Sequence, residues 1–256
     1  MADTEIKLEI SRNIAIVRID RPPVNAFTPG MYDQIRRIFH SIADDRSIRV
    51  AILTAEGRAF CAGNDIYGFL DQTFEQSQEE LALIRISFNA VYDCPVPVIA
   101  AVNGAAMGTG IVLSSLCDIR IASAKASFAL PEIAVGAMGG AKHVMRMAPQ
   151  GMTRFMAFTG GRISAEEALR VNMVEKVVPP DSLMPTAHEI AEQIAARSPQ
   201  AVRLAKQAAN RVETMNLKEA YEYECTLISS LRKSEEAREA ALAFMEKRSP
   251  SFADRG

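Results

Sequence analysis

Arg58-Ala59-Phe60-Cys61-Ala62-Gly63-Asn64-Asp65 and, further on, Asn103-Gly104-Ala105-Ala106-Met107-Gly108-Thr109-Gly110 decide how this chain is read. Each stretch is rich in small residues and follows an apolar run that reads as a buried strand. The runs are Val50-Ala51-Ile52-Leu53-Thr54 and Val96-Pro97-Val98-Ile99-Ala100-Ala101-Val102. Gly and Ala leave the backbone bare, so another group can come close to it. The second turn also opens a helix, whose first N–H groups lack intrahelical partners and carry partial positive charge. Two such backbone donors converging on one point would make an oxyanion hole. Either turn taken alone is equally an ordinary glycine turn with no chemistry.

Working outward, strand-like runs recur at 14–19, 49–54, 96–102, 117–122 and 174–178, with helical patterns between them. Met31, Ile35, Ile38, Phe39 and Ile42 share one face of a predicted helix. The polar run 70–80 reads as a loop entering a helix. This alternation is the mark of an α/β fold with helices covering the sheets. From Ser198-Pro199 onward the sequence is helical almost throughout, over 201–211, 217–231 and 234–247, with Ser234 as a helix cap. The expected division is therefore a core over 1–197 and a helical region over 198–256. Three terminal helices bury little apolar surface by themselves, so they must cover the core or pack against another subunit.

The chain has 256 residues, enough for a sizeable core in one or two domains, and 48% of them are hydrophobic. A net charge of −2 gives no global basic field for nucleic acid or an anionic membrane. No apolar run is long enough to span a bilayer. The first residues, Met-Ala-Asp-Thr-Glu-Ile-Lys, show neither a signal-peptide apolar region nor an Arg/Ser-rich transit character. Cys61, Cys94, Cys117 and Cys225 have no metal or redox spacing, and there are three histidines. The expectation is a reduced, cytoplasmic protein with no metal.

Six blocks, in order, resemble the crotonase family, also called the enoyl-CoA hydratase/isomerase family. They are Arg21-Pro22-Pro23-Val24-Asn25-Ala26-Phe27, the two turns, residues 117–122 (CDIRIA), residues 128–136 (FALPEIAVG) and residues 243–252 (AFMEKRSPSF). The resemblance implies a spiral of ββα units with a C-terminal helical trimerisation region, hence a homo-oligomer, either a trimer or a dimer of trimers. It implies an acyl-CoA thioester as ligand, with coenzyme A entering as part of the substrate and no separate cofactor. It places the oxyanion-hole donors on the backbone N–H groups of Asn64 and Thr109. The family usually has glycine where Thr109 stands.

Glu132 lies among apolar neighbours, which would desolvate its carboxylate, raise its pKa and suit it to proton transfer. From the residues alone it is equally an acid capping a turn. The resemblance puts Pro131-Glu132 on the family's acid/base glutamate. Hydratases of the family carry a second glutamate one helical turn after the donor, and Val112 stands there instead. Adding water needs one group to orient it and another to move its proton. A double-bond shift needs a single base and an oxyanion hole. Val112 therefore favours enoyl-CoA isomerisation with Glu132 as the one acid/base. Two alternatives stay open: a hydratase in which His143 or a water replaces the lost glutamate, and a non-catalytic acyl-CoA binding subunit. His143 is either that second group or a packed helix residue, with Lys142 beside it in solvent. Gly140 stands where some relatives carry an aspartate, which disfavours hydrolase-like chemistry.

For the coenzyme A handle, Arg21, Arg58 and Lys247 are candidate phosphate partners, the last from a neighbouring subunit. The resemblance further implies that Ala59, Ala62, Asp65 and Ile66 meet the nucleotide end, and that Gly108 and Val112 border the acyl group.

Overall fold

The computed structural model describes residues 4–65 and 72–252. Among these described residues ten strands form two sheets. The larger contains β1 (Ile6–Ser11), β2 (Ile14–Ile19), β3 (Val50–Ala55), β5 (Val98–Val102), β7 (Ile119–Ser123) and β10 (Lys176–Val178), side by side in that order. The smaller contains β4 (Ala59–Cys61), β6 (Ala105–Met107), β8 (Ser127–Ala129) and β9 (Ile163–Ser164). From β2 to β10 the neighbours run parallel, with β1 added antiparallel by a hairpin. In the small sheet β4, β6 and β8 are parallel, and β9 closes it antiparallel.

Sequence order explains this pairing of sheets. Each turn of the chain lays one strand in the large sheet, the next in the small sheet, and then a helix. β3 and β4 lead to α2 (Phe74–Tyr92), and β5 and β6 lead to α3 (Thr109–Leu116). β7 and β8 lead to a 3-10 turn at Pro131–Val135, then to α4 (Ala141–Val144) and α5 (Gln150–Thr159). The result is the α/β spiral of ββα units expected above.

Every residue of β3 and β5 is buried, because the large sheet is covered on both faces. On one face α7 (Leu183–Ala195) lays Leu183, Ala187 and Ala191 over Ile14, Ile52, Ile99 and Ile121. On the other, α1 (Pro29–Asp44) presents Met31, Tyr32, Ile35, Phe39 and Ile42 to the main core. Ile38, expected on that face, is only partly buried, and Tyr32 takes a place on it. The predicted strand at 96–102 starts at Val98, since Pro97 has no N–H to give a ladder. Thr73 and Gln76 form a capping box that starts α2 inside the run expected to be a loop. No helix among the described residues is long and apolar enough to cross a membrane.

The C-terminal region comprises α8 (Pro199–Val212), α9 (Leu217–Leu231) and α10 (Glu235–Met245), capped by Ser198, Asn216 and Ser234. The break expected after residue 197 thus falls between α7 and α8. α8 is tied to the core by Lys206, which is 6% exposed and places its ammonium 2.6 Å from both carboxylate oxygens of Asp118. Asp118 in turn accepts the backbone N–H of Val98 at 2.7 Å. No residue of α9 is buried.

Breaking that ion pair from the lysine side strands a carboxylate at the edge of the core. Lys206→Met keeps the stem volume and should destabilise the protein by about 2–3 kcal/mol, less than the ~3–5 of a fully buried pair because Asp118 keeps some solvent and its backbone donor. Urea titration checks this. Adding Asp118→Asn to Lys206→Met should recover part of the loss, and a double variant weaker than the single one would contradict the electrostatic account.

Candidate active site

The first turn is held from outside by the segment before α1. Asn25, buried and in the left-handed region (φ 57°), donates its side-chain amide to the carbonyls of Glu56 and Ala59 at 2.9 and 2.8 Å. Phe27 then bridges the turn, donating its N–H to Gly63 O and accepting from Asp65 N, both at 2.8 Å. Those bonds use the residues on either side of Asn64. The Asn64 N–H therefore faces away from Phe27, and no acceptor meets it among the described residues.

The second turn passes directly beside the first. Gly108 has φ 52°, and a Cβ built on it would stand 3.5 Å from Gly63 Cα and 2.5 Å from Glu132 Oε1. Only glycine allows both the conformation and the approach. Thr109 follows as the first residue of α3, so its N–H has no intrahelical partner. Two unpaired backbone donors and one carboxylate are thus gathered around Gly108.

Glu132 is brought there by the 3-10 turn after β8. It is half-buried, and its Oε2 is enclosed with no hydrogen-bond partner. Burial pushes its carboxyl above the usual glutamate range, partly opposed by a bond from its own backbone N–H. An unsatisfied, proton-hungry carboxylate beside free N–H groups can carry a proton next to a carbonyl held by those groups.

Val112, one turn along α3, is 3% exposed. It packs against Gly140, where a Cβ would lie 2.6 Å from Val112 Cγ2 and 3.3 Å from Leu130 Cδ2. His143 lies on α4 with its ring edge-on to Phe88, 5.7 Å between centroids. Among the described residues it makes no side-chain hydrogen bond, and burial, with the nearby Arg146 charge second, lowers its pKa, so the ring is neutral at pH 7. Lys142 is exposed.

The expected coenzyme A contacts are dispersed. Arg21 pairs with Asp65 at 2.8 Å and with Glu5 at 3.0 Å, so the side chains of Arg21 and Asp65 are engaged with each other. Arg58 is exposed at the mouth of the first turn, Ala59 is buried in β4, and Ala62 is half-buried. Lys247 sits in the exposed turn after α10, an element packed on α8. Ile66 lies outside the described residues. A cleft of about 1020 Å³ between α8 and the core holds none of Asn64, Thr109, Glu132 or His143. Its cations are largely committed, Arg203 to the carbonyls of Asp45 and Ile48 and Lys206 to Asp118, which marks it as a gap between packed parts.

Sequence reasoning missed Tyr32. It shares the buried stripe of α1 with Ile35, Phe39 and Ile42, and a buried tyrosine hydroxyl requires a partner. That requirement was the available signal.

Comparison with known proteins agrees with this geometry. The sequence model of the family described as enoyl-CoA hydratase/isomerase matches residues 9–255. The chain is 36% identical to the short-chain-enoyl-CoA hydratase of Clostridium acetobutylicum, with 94% of each chain covered. It is 34% identical to the crotonyl-CoA hydratase of Syntrophomonas wolfei, over 98% of this chain and 99% of that one. The crystal structure of an enoyl-CoA hydratase from Bacillus anthracis superposes with a TM-score of 0.94 at 33% identity, covering 98% of this chain and 100% of that one.

The raised Glu132 pKa has a measurable counterpart in stability. A carboxyl raised by folding contributes stability that is present in acid and lost as pH rises through its folded pKa. Glu132→Gln should therefore melt at a higher temperature than the parent at pH 7, with the gap closing as pH falls into the ordinary glutamate range. Calorimetric scans across pH test this. A variant less stable than the parent at neutral pH would mean that Glu132 is held by favourable contacts.

Proposed function

The chain belongs to the enoyl-CoA hydratase/isomerase family, and we propose that within it the protein shifts the double bond of an enoyl-CoA thioester, with Glu132 as its single acid/base. The thioester oxygen would sit between the N–H groups of Asn64 and Thr109. Glu132 takes a proton from C2 of a 3-enoyl thioester, and the electrons run to the carbonyl oxygen to give a dienolate. The same carboxyl returns the proton at C4, leaving the 2-enoyl product, so no water is consumed. Coenzyme A enters as part of the substrate.

The observation that carries this reading is Val112. Its apolar side chain, packed on Gly140 and Leu130, stands one helical turn from Thr109, where a water-orienting carboxylate would be needed. Hydration is the second reading, favoured by the names of the relatives above. His143 gives it limited support, being neutral and packed against Phe88 rather than hydrogen-bonded to an acid.

NMR of C2 and C4 proton exchange across a panel of CoA thioesters tests the assignment. Glu132→Gln should slow exchange by ~10²–10⁴-fold with acyl-CoA affinity nearly unchanged. Val112→Glu should raise hydration of a short 2-enoyl-CoA, modestly, because a charge in that apolar site is itself disfavoured. Parental hydration at roughly 10 s⁻¹ or faster that vanished in His143→Ala would decide for the hydratase.

The protein acts as a homo-oligomer, a trimer or a dimer of trimers. Leu217, Phe244 and Met245 in the C-terminal region are 86%, 86% and 69% exposed, and Met138 and Phe158, on the segments after Glu132, are 91% and 73% exposed. So many large apolar side chains in solvent mark surfaces that another chain covers. Multi-angle light scattering at micromolar concentration should give a mass of three or six chains, and a stable monomer would refute the assembly.

A further inference from the structure

Tyr32 joins the two residues whose backbone N–H groups are free. Its ring is buried edge-on between Phe27 and Phe88, with centroids 5.1 and 5.9 Å away. Its hydroxyl makes a short hydrogen bond to Asn64 Oδ1 and lies 2.6 Å from Thr109 Oγ1. Thr109 Oγ1 completes the triangle by donating to Asn64 Oδ1 at 2.7 Å. One side of this triangle comes from α1, one from the turn after β4 and one from the first residue of α3.

We propose that Tyr32 is a positioning residue for the oxyanion hole: its hydroxyl grips the side chains of Asn64 and Thr109 together and so sets the spacing and aim of their backbone N–H groups. The proposal rests on reading those two N–H groups as the thioester-oxygen donors. Three features support it. Thr109 and Asn64 offer few degrees of freedom once held, because threonine is stiff at χ1 and each N–H is one bond from the Cα that carries the held side chain. The amide oxygen of Asn64 can only accept. The two hydroxyl protons of the triangle therefore run towards Asn64, either both directly or one through the other hydroxyl, and every arrangement joins the first turn to α3. Finally, the hydroxyl keeps its proton, because burial lifts the Tyr32 pKa far above neutrality. A glycine at 109 would leave Tyr32 only one partner, so threonine at this position and tyrosine at 32 make sense as a pair.

Tyr32→Phe removes the hydroxyl and keeps the ring. The readouts are calorimetric affinity for butyryl-CoA, exchange of its C2 protons for solvent deuterium, and the infrared carbonyl stretch of the bound, ¹³C-labelled thioester. Butyryl-CoA has no double bond, so its exchange reports enolate formation whichever overall reaction the enzyme performs. Loss of a whole oxyanion donor costs ~10²–10³-fold, and Asn64 and Thr109 still bond to each other in the variant, so exchange should slow by roughly 10-fold. Affinity should stay within about threefold, the pattern of an interaction that matters in the transition state. The carbonyl stretch should move back towards its value in water. Thr109→Ser, which keeps the hydroxyl, should exchange faster than Thr109→Val, and Thr109→Val should slow as Tyr32→Phe does. The double variant Tyr32→Phe/Thr109→Val should lose less than the product of the single losses, since both cut the same link.

A merely structural Tyr32 would lower the melting temperature without moving the carbonyl band. Parent-like exchange and an unshifted band in Tyr32→Phe would overturn the proposal. If Tyr32→Phe does not fold, equal exchange rates in Thr109→Ser and Thr109→Val would overturn it instead. A parent that neither binds butyryl-CoA nor exchanges its protons, in its native assembly, would remove the oxyanion-hole reading and this proposal with it. Normal parental exchange with an indifferent Tyr32→Phe would remove the proposal alone.

Discussion

The contact on which the site depends is the one at Gly108. Two turns from separate ββα units pass close enough for a Cβ there to stand 3.5 Å from Gly63 Cα, and a carboxylate from a third unit presses on the same point. Each turn follows a strand of the small sheet, β4, β6 or β8, and these run parallel and adjacent. Their C-terminal ends therefore emerge together, the usual place for chemistry in a parallel α/β arrangement. Any side chain on Gly108 would push Glu132 away from α3, so the absence of a side chain is itself the structural requirement.

That requirement explains what could be read from sequence. Buried parallel strands are continuous apolar runs, and 14–19 was legible to the residue, as was the helix at Leu217–Leu231. A helix start was legible where a side chain caps it, as at Ser234. The ends that shifted did so for local reasons, such as Pro97 at the head of β5. The glycine turns were legible because small residues in a row have few other uses. Glu132 was legible as an acid among apolar neighbours, although only the resemblance distinguished a proton carrier from a turn cap.

What was not legible depends on pairs brought together from far apart. Arg21 looks like a free charge suited to a phosphate, and folding joins it to Asp65. Lys206 looks like one of many helix-surface lysines, yet it is the buried link that holds α8 to Asp118. Tyr32 looks like part of an apolar stripe, and its hydroxyl finds Thr109, 77 residues away. A polar atom on a buried face announces that it needs a partner. It does not announce which one, because that choice is made by the layering of the sheets.

The polar and apolar halves of the site can be set against each other. At Asn64 and Thr109 the side-chain oxygens are hydrogen-bonded to Tyr32 and to each other, with Asn25 bracing the first turn from behind. Val112 faces the bare backbone of Gly140, with the apolar Leu130 beside it. Enolate formation needs strong stabilisation of one oxygen and one mobile proton, and those needs fall on the polar half with Glu132 at its border. A second polar reactant would have to be held on the apolar half, where desolvation opposes it. On the proposed double-bond shift, the same asymmetry accounts for the orphaned Oε2 of Glu132. A carboxylate that receives and returns a proton within one reaction gains nothing from a permanent donor, since any hydrogen bond that steadied its charged form would weaken it as a base.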